Sequence, residues 1–159
     1  MGGGIVDILE KKKAYLKEMT GSDIEIASLC VRDLSKKRDF DIPAGCTVTD
    51  KYDDILKDGS IDMVVEVMGG TSDAKKVVYD ALKAGKDVVT ANKALIAKFL
   101  PEIEDLLETV NKGRDKNVEF RYEAGKHDVQ RVLTNHHVSS SDSFHITYLD
   151  AKLFVVGSQ

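Results

Sequence analysis

Three residues with chemically different side chains, Thr90, Asn92 and Lys93, follow one another closely after a short apolar run. The run from Asp87 to Thr90 is predicted to be a β-strand, and a helix is predicted to begin at Lys93. A hydroxyl, an amide and a cation at the end of a strand can converge on one crevice. A lysine in that position can polarise a carbonyl group and stabilise the alkoxide formed when the carbonyl is reduced. The alternative is a solvated lysine at a helix start, which is the commoner case.

Two groups of glycines suggest close approach of the backbone to a ligand. Gly69 and Gly70 end the apolar run from Met63 to Met68, at the edge where open α/β sheets bind ligands. A plain turn explains them equally well. Gly2 to Gly4 lead directly into an amphipathic segment, as the end of a glycine-rich phosphate loop would. The full G-x-G-x-x-G fingerprint needs an earlier strand and two earlier glycines, so a flexible end or a cloning remnant is the alternative that the residues alone favour.

A charged pair, Arg32 and Asp33, follows the apolar run from Ile24 to Val31. In a dinucleotide fold this position reads the adenosine ribose: an acidic residue favours a free 2′-hydroxyl, and an arginine accommodates a 2′-phosphate. The adjacent acid and base leave the preference open. An exposed arginine at a strand end is an equally good interpretation.

The periodicity of apolar residues predicts strands that alternate with helices along the first 124 residues. This alternation is typical of a parallel α/β sheet with helices on its faces. The predicted helices are 5–19, 51–57, 72–84 and 93–112, the last interrupted near Pro101, and the predicted strands are 24–31, 63–68, 87–90 and 117–124.

Composition excludes several classes of function. A net charge of -4 provides no basic face for nucleic acid. The apolar runs are far shorter than the roughly 20 residues of a membrane-spanning helix, and no signal peptide is apparent. Cys30 and Cys46 are isolated in the sequence, so a disulfide framework or a zinc site is not expected, and a reducing cytoplasm is the simplest setting.

Residues 125–159 differ in character from the rest of the chain. All four histidines lie between 125 and 145, in a segment that shows no helical or strand period and is predicted to be a loop or disordered. Adjacent histidines rarely converge on one ion, so a metal site is not predicted there. Two apolar runs, Phe144 to Leu149 and Leu153 to Val156, could pair as a hairpin.

Several segments of the sequence resemble homoserine dehydrogenases. The most specific is Val64 to Ala97, which contains the Gly-Gly turn followed by TANKAL. GGGIVDILEKKK at the start, VRDLSKKR after the first predicted strand and FRYEA at Phe120 to Ala124 extend the resemblance over about residues 2–124.

The resemblance implies a domain that binds NADP or NAD in an enzyme that interconverts aspartate 4-semialdehyde and homoserine, on the route to threonine and methionine. By resemblance, Lys93 is the active-site lysine near the nicotinamide, and Glu123 belongs to a monovalent cation site. The cofactor-binding residues implied are Gly2, Arg32, Gly69, Gly70, Thr90 and Lys93.

The sequence also departs from the family. The first strand of the family and its first two fingerprint glycines would precede Met1, and after Ala124 the family pattern ends. We therefore predict a partial Rossmann-type domain over residues 1–124, lacking its first strand, and a divergent, irregular tail over 125–159. The substrate domain, which carries the family's dimer interface, is not represented, so a non-catalytic nucleotide-binding or interaction fragment is the alternative function.

The missing first strand has a consequence for folding. It is the central strand of the usual 3-2-1-4-5-6 order, so its loss predicts a marginal fold and no tight cofactor binding. Lys152 to Gly157 resembles such a strand in composition and could fill the slot from the other end of the chain. Chance similarity of a short apolar run is the explanation that the sequence favours. Even with the slot filled, the phosphate loop would be discontinuous between Gln159 and Met1, so no tight cofactor binding is predicted in either case.

Overall fold

The computed structural model describes residues 2–122 and the backbone of residues 151–157. The helices are α1 (Gly2–Lys11), α2 (Lys13–Thr20), α3 (Tyr52–Lys57), α4 (Ser72–Lys83) and α5 (Lys93–Asn111), and the strands are β1 (Ile24–Cys30), β2 (Thr47–Thr49), β3 (Met63–Val67), β4 (Asp87–Thr90), β5 (Phe120–Tyr122) and β6 (Ala151–Gly157). From β2 to β5 these residues form strands and helices in alternation.

All of these strands belong to one sheet, in the order β2-β1-β6-β3-β4-β5. Every neighbouring pair is parallel. A parallel sheet requires a crossover between successive strands, and α3, α4 and α5 provide the crossovers from β2 to β3, from β3 to β4 and from β4 to β5. The predicted Rossmann-like α/β architecture is confirmed.

The central position of the sheet is occupied by β6. This strand pairs with β1 from Ile24↔Ala151 to Cys30↔Val156, with a shift in register between Ile26 and Ser28, and with β3 from Met63↔Leu153 to Val67↔Gly157. The slot that the sequence predicted to be empty is therefore filled by a segment from the other end of the chain. The expected hairpin of Leu153–Val156 is wrong, because both edges of β6 are bonded to other strands. Its other half, residues 144–149, lies outside the described residues.

Helices cover both faces of the sheet, and the strand residues alternate between two apolar clusters. Val64 and Val88 pack with Val78 of α4 and Ile103 of α5 in one cluster. On the opposite face, Val65 and Val89 pack with apolar residues of α1 and α2, namely Ile5, Val6, Leu9 and Leu16. The near-continuous apolar runs of β3 and β4 follow from this arrangement, because a parallel strand with helices on both sides has no solvated face.

Three elements differ from the sequence prediction. The first predicted helix is broken at Lys12 into α1 and α2, and α2 ends at Gly21, whose φ is 71°. Helix α5 continues through Pro101; the carbonyl that this proline leaves without an intrahelical donor belongs to the exposed Ala97, where water can reach it. Strand β2 was not predicted. Within the described residues no helix is long and apolar enough to cross a membrane.

Candidate dinucleotide site at the carboxyl edge of the sheet

The carboxyl ends of four adjacent strands meet at one edge of the sheet. Cys30 ends β1, Gly157 ends β6, Val67 ends β3 and Thr90 ends β4. The glycine turn, Arg32 and Lys93 all follow these strand ends within three residues. The parallel topology therefore brings to one edge most of the residues that the sequence singled out, as expected for an open α/β sheet.

A buried carboxylate lies at the centre of this edge and was not predicted as part of the site. Glu66 of β3 has no exposed surface (0%). One of its carboxylate oxygens, Oε1, accepts a hydrogen bond from the backbone N–H of Met68 at 2.6 Å. The other, Oε2, accepts from the hydroxyl of Thr90 at 2.5 Å. Burial raises the pKa of Glu66, and hydrogen bonds from Thr90, Met68 and Asn92 oppose that shift.

Thr90 faces into the protein and not into the crevice. It is 1% exposed, and its hydroxyl oxygen also accepts a hydrogen bond from the backbone N–H of Asn92 at 3.0 Å. From the sequence, this hydroxyl was predicted to converge on a ligand together with Lys93. The structure instead commits it to Glu66 and Asn92, so that Thr90 shapes the turn after β4.

Asn92 joins the two turns of the edge. Its side-chain amide donates to the carbonyl of Gly70 at 2.7 Å and to that of Met68 at 3.3 Å. Its Oδ1 accepts from the backbone N–H of Leu95 at 3.1 Å, which caps the N-terminus of α5. One buried side chain thus fixes both the glycine turn and the start of the helix that carries Lys93.

Lys93 and the glycine turn are the exposed parts of this arrangement. Lys93 is the first residue of α5, and its side chain is exposed. Gly69 and Gly70 are exposed as well, and Gly70 has a φ of 80°, which favours glycine over any residue with a Cβ. A Cβ at Gly70 would meet no atom within 4 Å, so the space above this turn is open.

Beyond β1, the loop that begins with Arg32 carries several cationic residues. The guanidinium of Arg32 lies 3.5 Å from the carboxylate of Asp73 at the start of α4, and both side chains are exposed. The carboxylate of Asp33 accepts hydrogen bonds from the backbone and the hydroxyl of Ser35, at 2.8 and 2.6 Å. These bonds lower the pKa of Asp33.

The same loop lies against the start of α1. A Cβ at Gly3 would come within 2.6 Å of the ring of Phe40, so only glycine leaves room for this ring. The first N–H groups of a helix have no partner within the helix, and α1 begins at Gly2. Free amide donors therefore lie beside this loop. The loop also lines a shallow cavity of about 480 Å³, which is formed by Leu34, Ser35, Lys36, Lys37, Arg38, Phe40, Asp41, Ile42 and Val48.

Donors of this kind suit an anionic dinucleotide, because amides and cations bind phosphate groups. Within residues 2–122, no group of three potential metal ligands is present. Glu123 and the four histidines lie outside the described residues, so the proposed cation ligand stays a prediction.

A parallel sheet with the order 2-1-6-3-4-5 and donors at its carboxyl edge defines a dinucleotide-binding domain of the Rossmann type. Comparison with known proteins identifies the family. The family profile described as "Homoserine dehydrogenase, NAD binding domain" matches residues 1–118. The chain belongs to the homoserine dehydrogenase family.

Individual relatives agree with this assignment. The chain is 37% identical over 115 residues to the homoserine dehydrogenase of Bacillus subtilis, an alignment that covers 72% of this chain and 26% of that protein. It is 37% identical over 125 residues to the homoserine dehydrogenase of Pseudomonas aeruginosa, covering 78% of this chain and 26% of the relative. The chain therefore spans about a quarter of the length of these relatives.

Solved structures give the same result. The structure of S. aureus homoserine dehydrogenase matches with a TM-score of 0.66 and 38% identity, over 77% of this chain and 29% of that chain. The enzyme from Thiobacillus denitrificans matches with a TM-score of 0.66 and 31% identity, over 76% of this chain and 26% of that chain.

Proposed function

We propose that this chain binds NADP(H) at the carboxyl edge of its sheet, as the nucleotide-binding part of an enzyme that interconverts aspartate 4-semialdehyde and homoserine. This reaction lies on the route to threonine and methionine. The observation that supports the proposal most strongly is the exposed pair formed by the Gly69–Gly70 turn and Lys93, held together by the buried side chain of Asn92.

The proposed cofactor lies across the strand ends. Its pyrophosphate lies at the start of α1, near Gly2 and Gly3, where backbone amides and the helix dipole favour negative charge. Its nicotinamide half lies over Gly69 and Gly70, beside Lys93, while Thr90 supports this surface from below. The sequence predicted no tight cofactor binding, with the central slot empty or filled. Strand β6 occupies that slot, and the completed sheet supports the present proposal.

We assign the preference for NADP over NAD to the loop after β1. Arg32 is exposed and provides a guanidinium for a 2′-phosphate, and Lys36, Lys37 and Arg38 add positive charge. The acidic alternative, Asp33, is already hydrogen bonded to Ser35.

In the reaction, the bound cofactor supplies or accepts the hydride. We assign to Lys93 the role of a cation that polarises the substrate carbonyl and stabilises the developing alkoxide. The remaining substrate ligands and the homodimer interface are proposed to lie outside residues 1–159. Glu123 is proposed as a ligand of a monovalent cation. We propose a cytoplasmic enzyme with no nucleic-acid partner.

The role of Lys93 is tested in a chimera in which residues 2–122 replace the matching part of the Bacillus subtilis relative. Lys93→Ala should lower turnover of homoserine oxidation about a hundredfold, the scale of losing one electrostatic donor to the transition state. Lys98→Ala, an exposed lysine on the same helix, is the matched control and should change turnover less than about threefold. Equal activity of the two variants would remove Lys93 from the mechanism.

A further inference from the structure

Glu66 stands out because it interrupts an otherwise apolar strand. Its neighbours in β3, Val64, Val65 and Val67, are between 0 and 3% exposed, and Glu66 is itself 0% exposed. Burying an ionisable group is unfavourable unless its charge is well compensated. Within the described part of the chain no lysine or arginine forms an ion pair with Glu66, so hydrogen bonds alone compensate its carboxylate. A valine at this position would avoid the cost.

The hydrogen bonds of Glu66 belong to a closed ring. From the carboxylate, one side of the ring runs through the backbone N–H of Met68 into the glycine turn. The other side runs through the hydroxyl of Thr90 to the backbone N–H of Asn92. Asn92 closes the ring by donating to the carbonyls of Met68 and Gly70. The backbone N–H of Ala91 adds a bond to the carbonyl of Glu66 at 3.2 Å.

The buried ring of hydrogen bonds positions two exposed residues. Each turn that it fixes ends in an exposed residue, Gly70 on the β3 side and Lys93 on the β4 side. Both turns would be free to move separately if their only links were the ends of two neighbouring strands. The glycine turn is bonded to the buried carboxylate through Met68, and the start of α5 is linked to it through Thr90 and Asn92. A shift of one turn therefore strains the other.

We propose that Glu66 is a positioning residue that locks the Gly69–Gly70 turn and the start of α5 into one rigid surface for the nicotinamide half of the cofactor. This inference rests on the proposed function for the identity of the ligand. The locking of the two turns is a property of the chain alone and can be measured without any ligand.

The first test is amide hydrogen exchange on the chain itself. In Glu66→Gln the side-chain amide can still accept from Met68, but its NH2 group takes the place of the oxygen that accepts from Thr90. Exchange should therefore accelerate about tenfold or more, at Met68 to Gly70 and at Asn92 to Leu95 together. Thr90→Val, which removes the hydroxyl, should have the same effect in both segments, whereas Thr90→Ser should restore the exchange of the parent chain.

Val65→Ala is the control for general destabilisation. Val65 is the buried neighbour of Glu66 in β3 and takes no part in the ring. Its truncation leaves a cavity and lowers global stability, but the ratio of exchange rates between the two turns and the rest of the sheet should stay that of the parent. Acceleration in only one of the two turns, or none, in Glu66→Gln would overturn the proposal.

The second test separates the two halves of the cofactor. Glu66→Gln should weaken binding of NADPH about tenfold and leave binding of 2′,5′-ADP, which lacks the nicotinamide half, within about twofold of the parent. Equal loss for both ligands would contradict the assignment to the nicotinamide half. If the parent chain binds neither ligand, the proposed function fails, and hydrogen exchange still decides whether Glu66 locks the two turns.

Discussion

Both edges of the sheet bury polar side chains, and the two edges use them differently. At the amino edge, Lys86 is 4% exposed and its ammonium group donates to the carbonyls of Asp58 and Ile61 at 2.6 and 2.9 Å. Next to it, the carboxylate of Asp87 accepts from the backbone N–H of Glu119 at 2.8 Å. These bonds fasten the connecting loops to the sheet.

At the carboxyl edge, the bonds of Glu66, Thr90 and Asn92 lead to residues that are exposed, Gly70 and Lys93. The buried groups at this edge therefore hold a surface in place for something outside the chain. The comparison indicates that a buried polar group alone does not mark a functional site. At a functional site, the buried group positions exposed residues through its hydrogen bonds. A buried group with a purely structural role holds the connecting loops against the sheet.

The largest expected effect on stability comes from a substitution in β6, which extends from the amino edge of the sheet to its carboxyl edge. Val155 pairs with Leu29 on one side and Val65 on the other, and proline has no N–H for either ladder. Val155→Pro should lower the free energy of unfolding by about 3 kcal/mol or more relative to Val155→Ala, a large part of a typical domain's 5 to 15 kcal/mol. Urea unfolding measures the difference. Equal stability of the two variants would mean that β6 is not the central strand.

A substitution at Arg32 should affect the carboxyl edge alone. Arg32→Ala should weaken NADPH about ten- to a hundredfold and NADH much less, because a hydrogen bond between charged groups contributes roughly 1.5 to 3 kcal/mol. The matched control is Arg114→Ala, which removes an arginine beside Gly85 at the amino edge and should leave both affinities unchanged. Calorimetric titration measures both, and equal losses for NADPH and NADH would refute the assignment of the 2′-phosphate to Arg32.

At the amino edge, Asp87 should make stability depend on pH. Burial raises the pKa of Asp87 to about 6. Since the folded state then holds the proton more tightly than the unfolded chain does, the stability from this group is present below the unfolded pKa of about 3.9 and is lost as pH rises through about 6.

Asp87→Asn keeps an oxygen that can accept from Glu119 and removes the titration. Between pH 4 and 7, the parent should lose on the order of 2 kcal/mol more stability than this variant. NADPH affinity at pH 7 should be the same in both chains. Parallel stability curves, measured by urea unfolding at each pH, would contradict the buried state of this carboxyl.

The smallest effect is expected for alanine substitutions at two glycines that have the same φ. Gly70 at the carboxyl edge and Gly85 at the amino edge both have a φ of 80°. A Cβ at Gly85 would lie 2.8 Å from the Arg114 side chain, whereas a Cβ at Gly70 would enter open space. Alanine should cost about 1 kcal/mol of stability at each position. Only Gly70→Ala should also weaken NADPH, because its methyl group occupies the space assigned to the cofactor. An equal effect of both variants on NADPH would remove the glycine turn from the site.

Much of this arrangement could be predicted from local pattern. The strands β1, β3 and β4 and the helix α4 have strong apolar periods, and the Gly-Gly turn and Lys93 follow their strands directly. The topology of a parallel sheet then places these residues at one edge.

Other features depend on long-range contacts that local pattern does not contain. The three residues of β2 are ordered by pairing with Ser28 to Cys30, and the place of β6 depends on two partners distant in sequence. Thr90 was expected to face a ligand because it lies at the end of a strand beside Lys93. The residues around Thr90 do not indicate its hydrogen bond to Glu66, which lies 24 residues earlier in the sequence. A signal for Glu66 existed, since an acidic residue within the apolar run MVVEV needs a buried hydrogen-bond donor.

The site proposed for the cofactor is the carboxyl edge of the sheet. Titration of the isotopically labelled chain with NADPH, followed by amide NMR, tests both the binding and its location. Binding at the carboxyl edge should give saturable one-to-one shifts at Gly3, Gly4, Arg32, Gly70 and Lys93, and none at Gly85, Asp87 or Glu119. A folded chain that shows no saturable shifts, or shifts centred on the amino edge, would contradict it.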